Sequence, residues 1–276
     1  MTEETIITRI EPRKKISFLE WREILAYRDL IYYLALRDVQ LRYKQTSLGI
    51  VWVILQPLVP AMIFAVIFGY FAKLPSGGQP YLLMVLCGLL AWNLFSSSIS
   101  RAGGSVVASS ALMSKVYFPR VIVPIAALGS VLVDTLVACL VLAVVLWLYG
   151  IDLHLQMLAA PFFLLLALGA GLGMSLMLAS LNVYFRDFSH LIPFGIQIWN
   201  YVSPVVYSAD LVPEKYRFIY AFNPMVGIIE GVRWSILGDS KLTPLMVTIS
   251  VVWSLVLILA GFATFRKVER GFADYI

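Results

Sequence analysis

Residues 109–124 read SSALMSKVYFPRVIVP. A lysine, an arginine, an adjacent aromatic pair and two prolines stand between long apolar runs at 81–100 and 121–149. Runs of that kind meet the requirement for a membrane-crossing helix, about 20 apolar residues through roughly 30 Å of hydrocarbon. The chain therefore leaves the bilayer for a few residues and goes straight back.

The same length criterion gives six spans: 50–71, 81–100, 121–149, 157–181, 188–207 and 243–265. Pro193, Gln197, Asn200 and Pro204 interrupt the fifth. The 276 residues are 61% hydrophobic and 13% charged. Soluble domains carry about 25% charged residues, so most of this surface faces lipid. The fold class read here is an all-α integral membrane protein, one permease-like domain over 1–276.

Charge placement sets the topology. Of the 21 lysines and arginines, all but Lys73, Lys215, Arg217, Arg233 and Lys241 fall before the first span, after the second and fourth, or in the tail. Both termini and the segment at about 103–120 are therefore expected in the cytoplasm, with Arg101, Lys115 and Arg120 counted to its loop.

Two segments are neither span nor plain loop. Residues 18–45 favour a helix, with Leu30, Leu34 and Leu41 on one stripe and Tyr32, Leu36, Val39 and Tyr43 on another. Arg37, Arg42 and Lys44 reach for phosphates, as an amphipathic interfacial helix on the inner leaflet would. Residues 208–238 lie outside. Pro213 opens a first short helix, Asn223-Pro224 breaks it, and Gly238 suits the cap of a second. A re-entrant outer hairpin between spans five and six is expected, carrying Tyr207, Tyr216, Phe218, Tyr220 and Phe222 as gate residues.

The chain has no GxxxxGK[ST], HExxH, CxxC or GxSxG motif. It has no phosphate-cradling loop of its own, and no catalytic residue is assigned. His154 and His190 are isolated, and Cys87 and Cys139 lie in apolar runs, so neither a metal site nor a disulfide is expected. Asp134 is the one acid well inside a span. It either faces a pathway or pairs with another helix or a second subunit, and the second reading is favoured. Gly169 and Gly173 form a GxxxG, read first as packing within the chain.

Aromatic faces and amides suit sugar rings and hydroxyls. Trp52 with Gln56, Trp92 with Asn93, and Gln197, Trp199, Asn200 and Tyr201 mix these types within spans, where an amide facing lipid is costly. They form the expected substrate pathway.

The stretches LALRDVQLRYKQTSLGIVWVILQP (34–57), LMSKVYFPRVIVP (112–124), YFRDF (184–188) and YAFNPMVGIIEGVRWSILG (220–238) occur in an order and spacing that resembles one family. It is the permease subunits of bacterial ABC exporters for O-antigen, capsule and teichoic-acid polymers. The resemblance implies six spans and a homodimer in the bacterial inner membrane, joined by two copies of a separate ABC ATPase. ATP and Mg would be bound on that partner, with no cofactor on this chain. Ser114, Lys115, Val116, Tyr117, Phe118, Pro119 and Arg120 would contact the ATPase, with Tyr117 and Phe118 as aromatic anchors.

The function expected is export of lipid-linked polysaccharide, of the O-antigen kind. Export of a small amphiphile, drug or glycolipid is the alternative. Membrane lipids are expected partners and nucleic acid is not. An integral-membrane enzyme would need a catalytic cluster at one face, and a structural scaffold would need no ATPase.

Overall fold

Within hydrocarbon a backbone must satisfy its own polar groups, so apolar runs of this length fold as helices. The computed structural model describes residues 21–43, 49–152, 154–185, 187–238 and 242–274, without the side chains of 21–23, 49, 50, 52, 53, 270, 273 and 274. Among the described residues the regular structure is all helical.

The order is α1 (Trp21–Ala26), α2 (Arg28–Tyr43), α3 (Gly49–Phe64), α4 (Tyr81–Ala108), α5 (Ser110–Met113), α6 (Ile122–Leu148), α7 (Ala160–Tyr184), α8 (Phe188–Val202), α9 (Glu214–Ala221), α10 (Pro224–Leu237) and α11 (Pro244–Val268). A π-helix, Ala65–Phe71, prolongs α3, and a 3-10 turn, Leu155–Ala159, leads into α7.

Among the described residues, five segments are long and apolar enough to cross a membrane: Ile54–Phe71, Tyr81–Ala108, Ile122–Leu148, Leu155–Tyr184 and Pro244–Val268. The expected fifth run, 188–207, is not among them. Its helix stops after 15 residues, about 22 Å. Ser203 turns extended at φ −100° and ψ 148° because Pro204 follows, and a residue before proline is pushed out of the helical region.

The second span is longer than its apolar run. It continues to Ala108, so Arg101 lies within α4 and not in the loop that follows.

Contacts along the helices fix their directions. Ser98 of α4 faces Gly171 of α7, and Leu178 of α7 faces Gly103 of α4, so α4 and α7 run parallel. Gly169 meets Ile258, and Gly173 meets Leu257 and Gly261, so α11 runs parallel to α7. A Cβ on Gly173 would stand 2.3 Å from the Leu257 carbonyl. The GxxxG is therefore spent on packing within the chain, as read from the sequence.

The chain after α8 also follows α4. Ile192 lies near Gly103, Trp199 stacks edge-on against Phe95 at 5.0 Å, and the Val205 carbonyl approaches Gly88. The Tyr81 hydroxyl then donates to the Val206 carbonyl. Residues 192–206 thus travel antiparallel to α4 between its positions 103 and 81, about 33 Å of helix axis.

α10 is enclosed by the first turns of three long helices. Arg233 reaches Met84 of α4, Gly231 abuts Phe163 of α7, and Gly227 abuts Met246 of α11. Asn223 caps its start by accepting from the Met225 amide, and Gly238 ends it at φ 74°. Both were legible as punctuation in the sequence.

α2 runs beside the first half of α6. Leu34 is buried in a cluster with Phe118, Ile122, Val123 and Ala126, and Ala35 presses on Gly129. Of the expected leucine stripe, Leu41 instead stays exposed, as do Tyr32, Tyr33 and Leu36.

Candidate functional site

A cavity of about 320 Å³ opens between α3, α4, α6 and α8. Its polar lining is Gln56, Asn93, Ser97, Asp134, Thr135 and Asn200, with Trp92 beside them. Four expected pathway residues, Gln56, Trp92, Asn93 and Asn200, therefore share one space. Pro57 and Pro60 lie inside α3 and lack the N–H that would bond the Val53 and Gln56 carbonyls. Backbone acceptors freed in this way are tolerated where a helix borders a cavity.

The remaining pathway residues are placed otherwise. Trp199 donates its indole N–H to Asn223 at 3.0 Å and packs on Phe95, so it ties α8 to the start of α10. Gln197 and Tyr201 are exposed on the outer side of α8 and do not line the cavity. The Trp52 side chain is outside the described residues.

Asp134 forms one boundary of the cavity. Arg101 and the Tyr43 hydroxyl both donate to it, and Arg42 lies 3.2 Å away. Arg101 also donates to Ser130 at 2.9 Å, and Arg42 to Gln56 at 3.3 Å. The acid is thus paired with other helices of its own chain, as favoured from the sequence. Burial, with the bond to Asp134, pushes the Tyr43 phenol up to about 12, so the hydroxyl remains a donor at cellular pH. Tyr43 and Arg101 were not expected here. The signal was present in the lone intramembrane acid, which needs a cation within reach.

On the other side of this network lies a second, more open cleft of about 790 Å³ between α2, α4 and α6. Arg37, Arg42 and Arg101 line it, as does Asp38, which Arg37 holds at 2.8 Å. Lys44 lies outside the described residues.

The loop 109–121 carries the expected coupling segment. Ser114, Lys115 and Val116 are exposed, and Tyr117 is 94% exposed. Phe118 instead points inward and is 5% exposed, held among Leu34, Ile122 and Val123. Pro119 is half-buried. Arg120 is engaged too: it donates to the Glu269 carbonyl and lies 5.7 Å over the Phe272 ring. Of the two expected aromatic anchors, only Tyr117 is available to another protein.

Of the residues expected at the gate, two share a hydroxyl–hydroxyl bond. Tyr220 donates to Tyr207 at 3.1 Å, and Tyr207 to the Tyr201 carbonyl at 3.2 Å. Phe218 and Phe222 meet edge-on at 5.3 Å and remain exposed, as does Tyr216, over whose ring Lys215 lies.

Beneath them Glu230 and Arg233 form a buried ion pair at 3.0 Å. Arg233 donates further to the carbonyls of Met84, Val205 and Tyr207, and Glu230 accepts from the Ala209 amide. Apart from the bond to Met84 of α4, these bonds serve the chain between α8 and α9.

The chain also resembles known proteins over most of its length. The chain is 28% identical over 252 residues to the O-antigen export system permease protein RfbA of Klebsiella pneumoniae, covering 90% of this chain and 95% of that one. It is 26% identical to RfbA of Myxococcus xanthus over 260 residues, covering 92% and 98%. Identity to the polysialic acid transport protein KpsM of Escherichia coli is 24% over 246 residues, covering 86% and 93%. The family model for the ABC-2 type transporter matches residues 29–237, and the chain belongs to that family.

Proposed function

We propose that the chain is the membrane-spanning subunit of an ATP-driven exporter of lipid-linked polysaccharide, of the O-antigen kind. The observation that carries this reading is near end-to-end similarity to permease and transport proteins named for O-antigen export and polysialic acid transport. Two copies would form the pathway, each with an ABC ATPase beneath it that binds ATP and Mg. The cavity of Gln56, Trp92, Asn93 and Asn200 supplies amides and an aromatic face of the sort a glycan uses.

Topologically, the reading has six crossings and cytoplasmic termini in a bacterial inner membrane. Parity supports the sixth. α7 and α11 run parallel, so the chain between them must return across the bundle. Residues 188–207 do so as a short helix completed by a non-helical piece. α9 and α10 then form the re-entrant outer hairpin, and α2 is the interfacial helix, with Tyr32, Tyr33 and Leu36 toward lipid.

The test is a strain lacking this chain, complemented or not, in which surface polymer and intracellular lipid-linked polymer are measured together. Surface polymer should vanish and the intracellular pool should rise. Unchanged surface polymer overturns the reading.

A further inference from the structure

The cleft between α2, α4 and α6 holds three guanidinium groups, Arg37, Arg42 and Arg101, against two carboxylates, Asp38 and Asp134. We propose that this cleft binds the phosphate of a lipid headgroup, with the three arginines as donors and Asp134 as the carboxylate that the phosphate displaces.

The arrangement fits a phosphate in three ways. First, the pairing is lopsided. Arg42 and Arg101 both converge on the single Oδ2 of Asp134, while Arg37 turns to Asp38. A guanidinium has five N–H donors in a planar fork that matches phosphate oxygens in pairs. The bonds to Asp134, Ser130 and Gln56 leave several of these donors unused.

Second, the heads are reachable. The side chains of Arg101, Arg42 and Arg37 are 21%, 33% and 47% exposed, against 3% for Arg233 in the sealed outer pair. Third, the walls leave room. Gly104, Ala108, Ala126 and Ala127 are small, Leu34 and Leu41 are apolar, and the volume lies within the usual 300–1,000 Å³ of small-molecule sites. A charged head beside small apolar walls suits a phosphate on a hydrocarbon stem.

The network also separates two spaces. Arg42 and Arg101 line the cleft, while Asp134 and Gln56 line the polar cavity. A phosphate that takes the guanidiniums frees Asp134 and Gln56 toward the cavity.

The test uses the full-length chain in a phosphate-free maltoside detergent. Binding of farnesyl diphosphate, farnesol and inorganic pyrophosphate is measured by calorimetry. Farnesyl diphosphate should bind more tightly than either of the others. Arg37→Gln touches no partner of Asp134 and should weaken it about tenfold, the worth of a charge-assisted bond. Asp134→Asn removes the competing carboxylate and should tighten it, a direction that a purely structural acid would not give. Arg217→Gln, on the outer hairpin, is the control.

Phosphatidylglycerol added as competitor separates the sources. Displacement of the diphosphate identifies a membrane phospholipid as occupant, and no displacement identifies a prenyl diphosphate; both sustain the site. Equal binding of farnesol and farnesyl diphosphate overturns it, and pyrophosphate binding as tightly overturns the lipid part. Unchanged affinity in Arg37→Gln also overturns it and decides alone if Asp134→Asn does not fold. No glycan enters the assay, so its failure leaves the export reading untouched.

Discussion

Arg233 donates to the Val205 carbonyl at 2.8 Å and to the Tyr207 carbonyl at 2.9 Å, and so holds the chain at the place where α8 has ended. Non-helical backbone inside a helical bundle has no hydrogen-bond ladder of its own, and each unpaired buried group is costly. Glu230 neutralises the guanidinium and accepts from Ala209. Arg233→Ala would leave the buried carboxylate without its countercharge and the three carbonyls without this donor. It should destabilise by about 3–5 kcal/mol, as breaking a buried pair does. Glu230→Gln keeps an acceptor for Ala209 and should cost less. Thermal unfolding of the detergent-purified protein ranks the two, and an equal ranking contradicts the clamp.

Gly88 sets two effects against each other. Alanine in a helix interior gains roughly 1 kcal/mol over glycine. A Cβ at Gly88, however, would stand 2.3 Å from the Val205 carbonyl, backbone that Arg233 already fixes. The clash should win, so Gly88→Ala lowers the melting temperature. Gly104→Ala, with nothing within 4 Å, should be neutral or stabilising. The reverse order would mean that residues 203–207 do not pass along α4.

Topology follows from the same passage. With Cys87 and Cys139 replaced, Ser189→Cys and Ser208→Cys should react with impermeant reagents from opposite faces, Ser208→Cys from outside. Ser114→Cys should react only from the cytoplasm. Labelling of the 189 and 208 positions from one face removes the sixth crossing.

Helix existence was legible from apolar length alone, since four runs reappear within about four residues of their expected ends and the second runs on from 100 to Ala108. The fifth was not, because Pro204 cuts the helix short while the bundle still carries the chain onward. Arg101 was placed in a loop because a charge ended the apolar run. Its helix continues because Asp134 and Ser130 take up that charge. Phe118 and Tyr117 look alike in sequence. Only the packing of α2 on α6 sends one ring inward and leaves the other outside. Likewise, amide and aromatic content did not separate Asn200, which faces the cavity, from Trp199, which caps a packing contact.

That difference between neighbours makes the coupling loop testable. Tyr117→Ala should leave the chain's stability within about 0.5 kcal/mol, as exposed positions do, yet weaken association with the ATPase. Phe118→Ala empties a packed site and should cost about 3–5 kcal/mol of this chain's own stability. Co-purification with the ATPase and unfolding of the isolated chain, measured on both variants, separate the two losses. If Tyr117→Ala keeps full ATPase binding and turnover, the contact lies elsewhere.

The cavity prediction turns on shape-conserving loss of an amide. Asn93→Leu and Asn200→Leu keep the branched outline and heavy-atom count of the amide, at somewhat larger volume, and remove its hydrogen bonds. Asn93 and Asn200 have no bonded side-chain partner among the described residues whose loss would unsettle the fold, so membrane levels should hold. If a glycan passes along this lining, surface polymer should fall severalfold in each single variant and further in the pair, with the lipid-linked precursor retained inside. Trp199→Ala should behave differently. It loses the bond to Asn223 and the stacking on Phe95, so membrane level and melting temperature should fall together with export. Tyr201→Ala, on the outer side of α8, should spare the cavity altogether. Full export by the Asn93→Leu/Asn200→Leu pair would place the polymer's route outside this cavity.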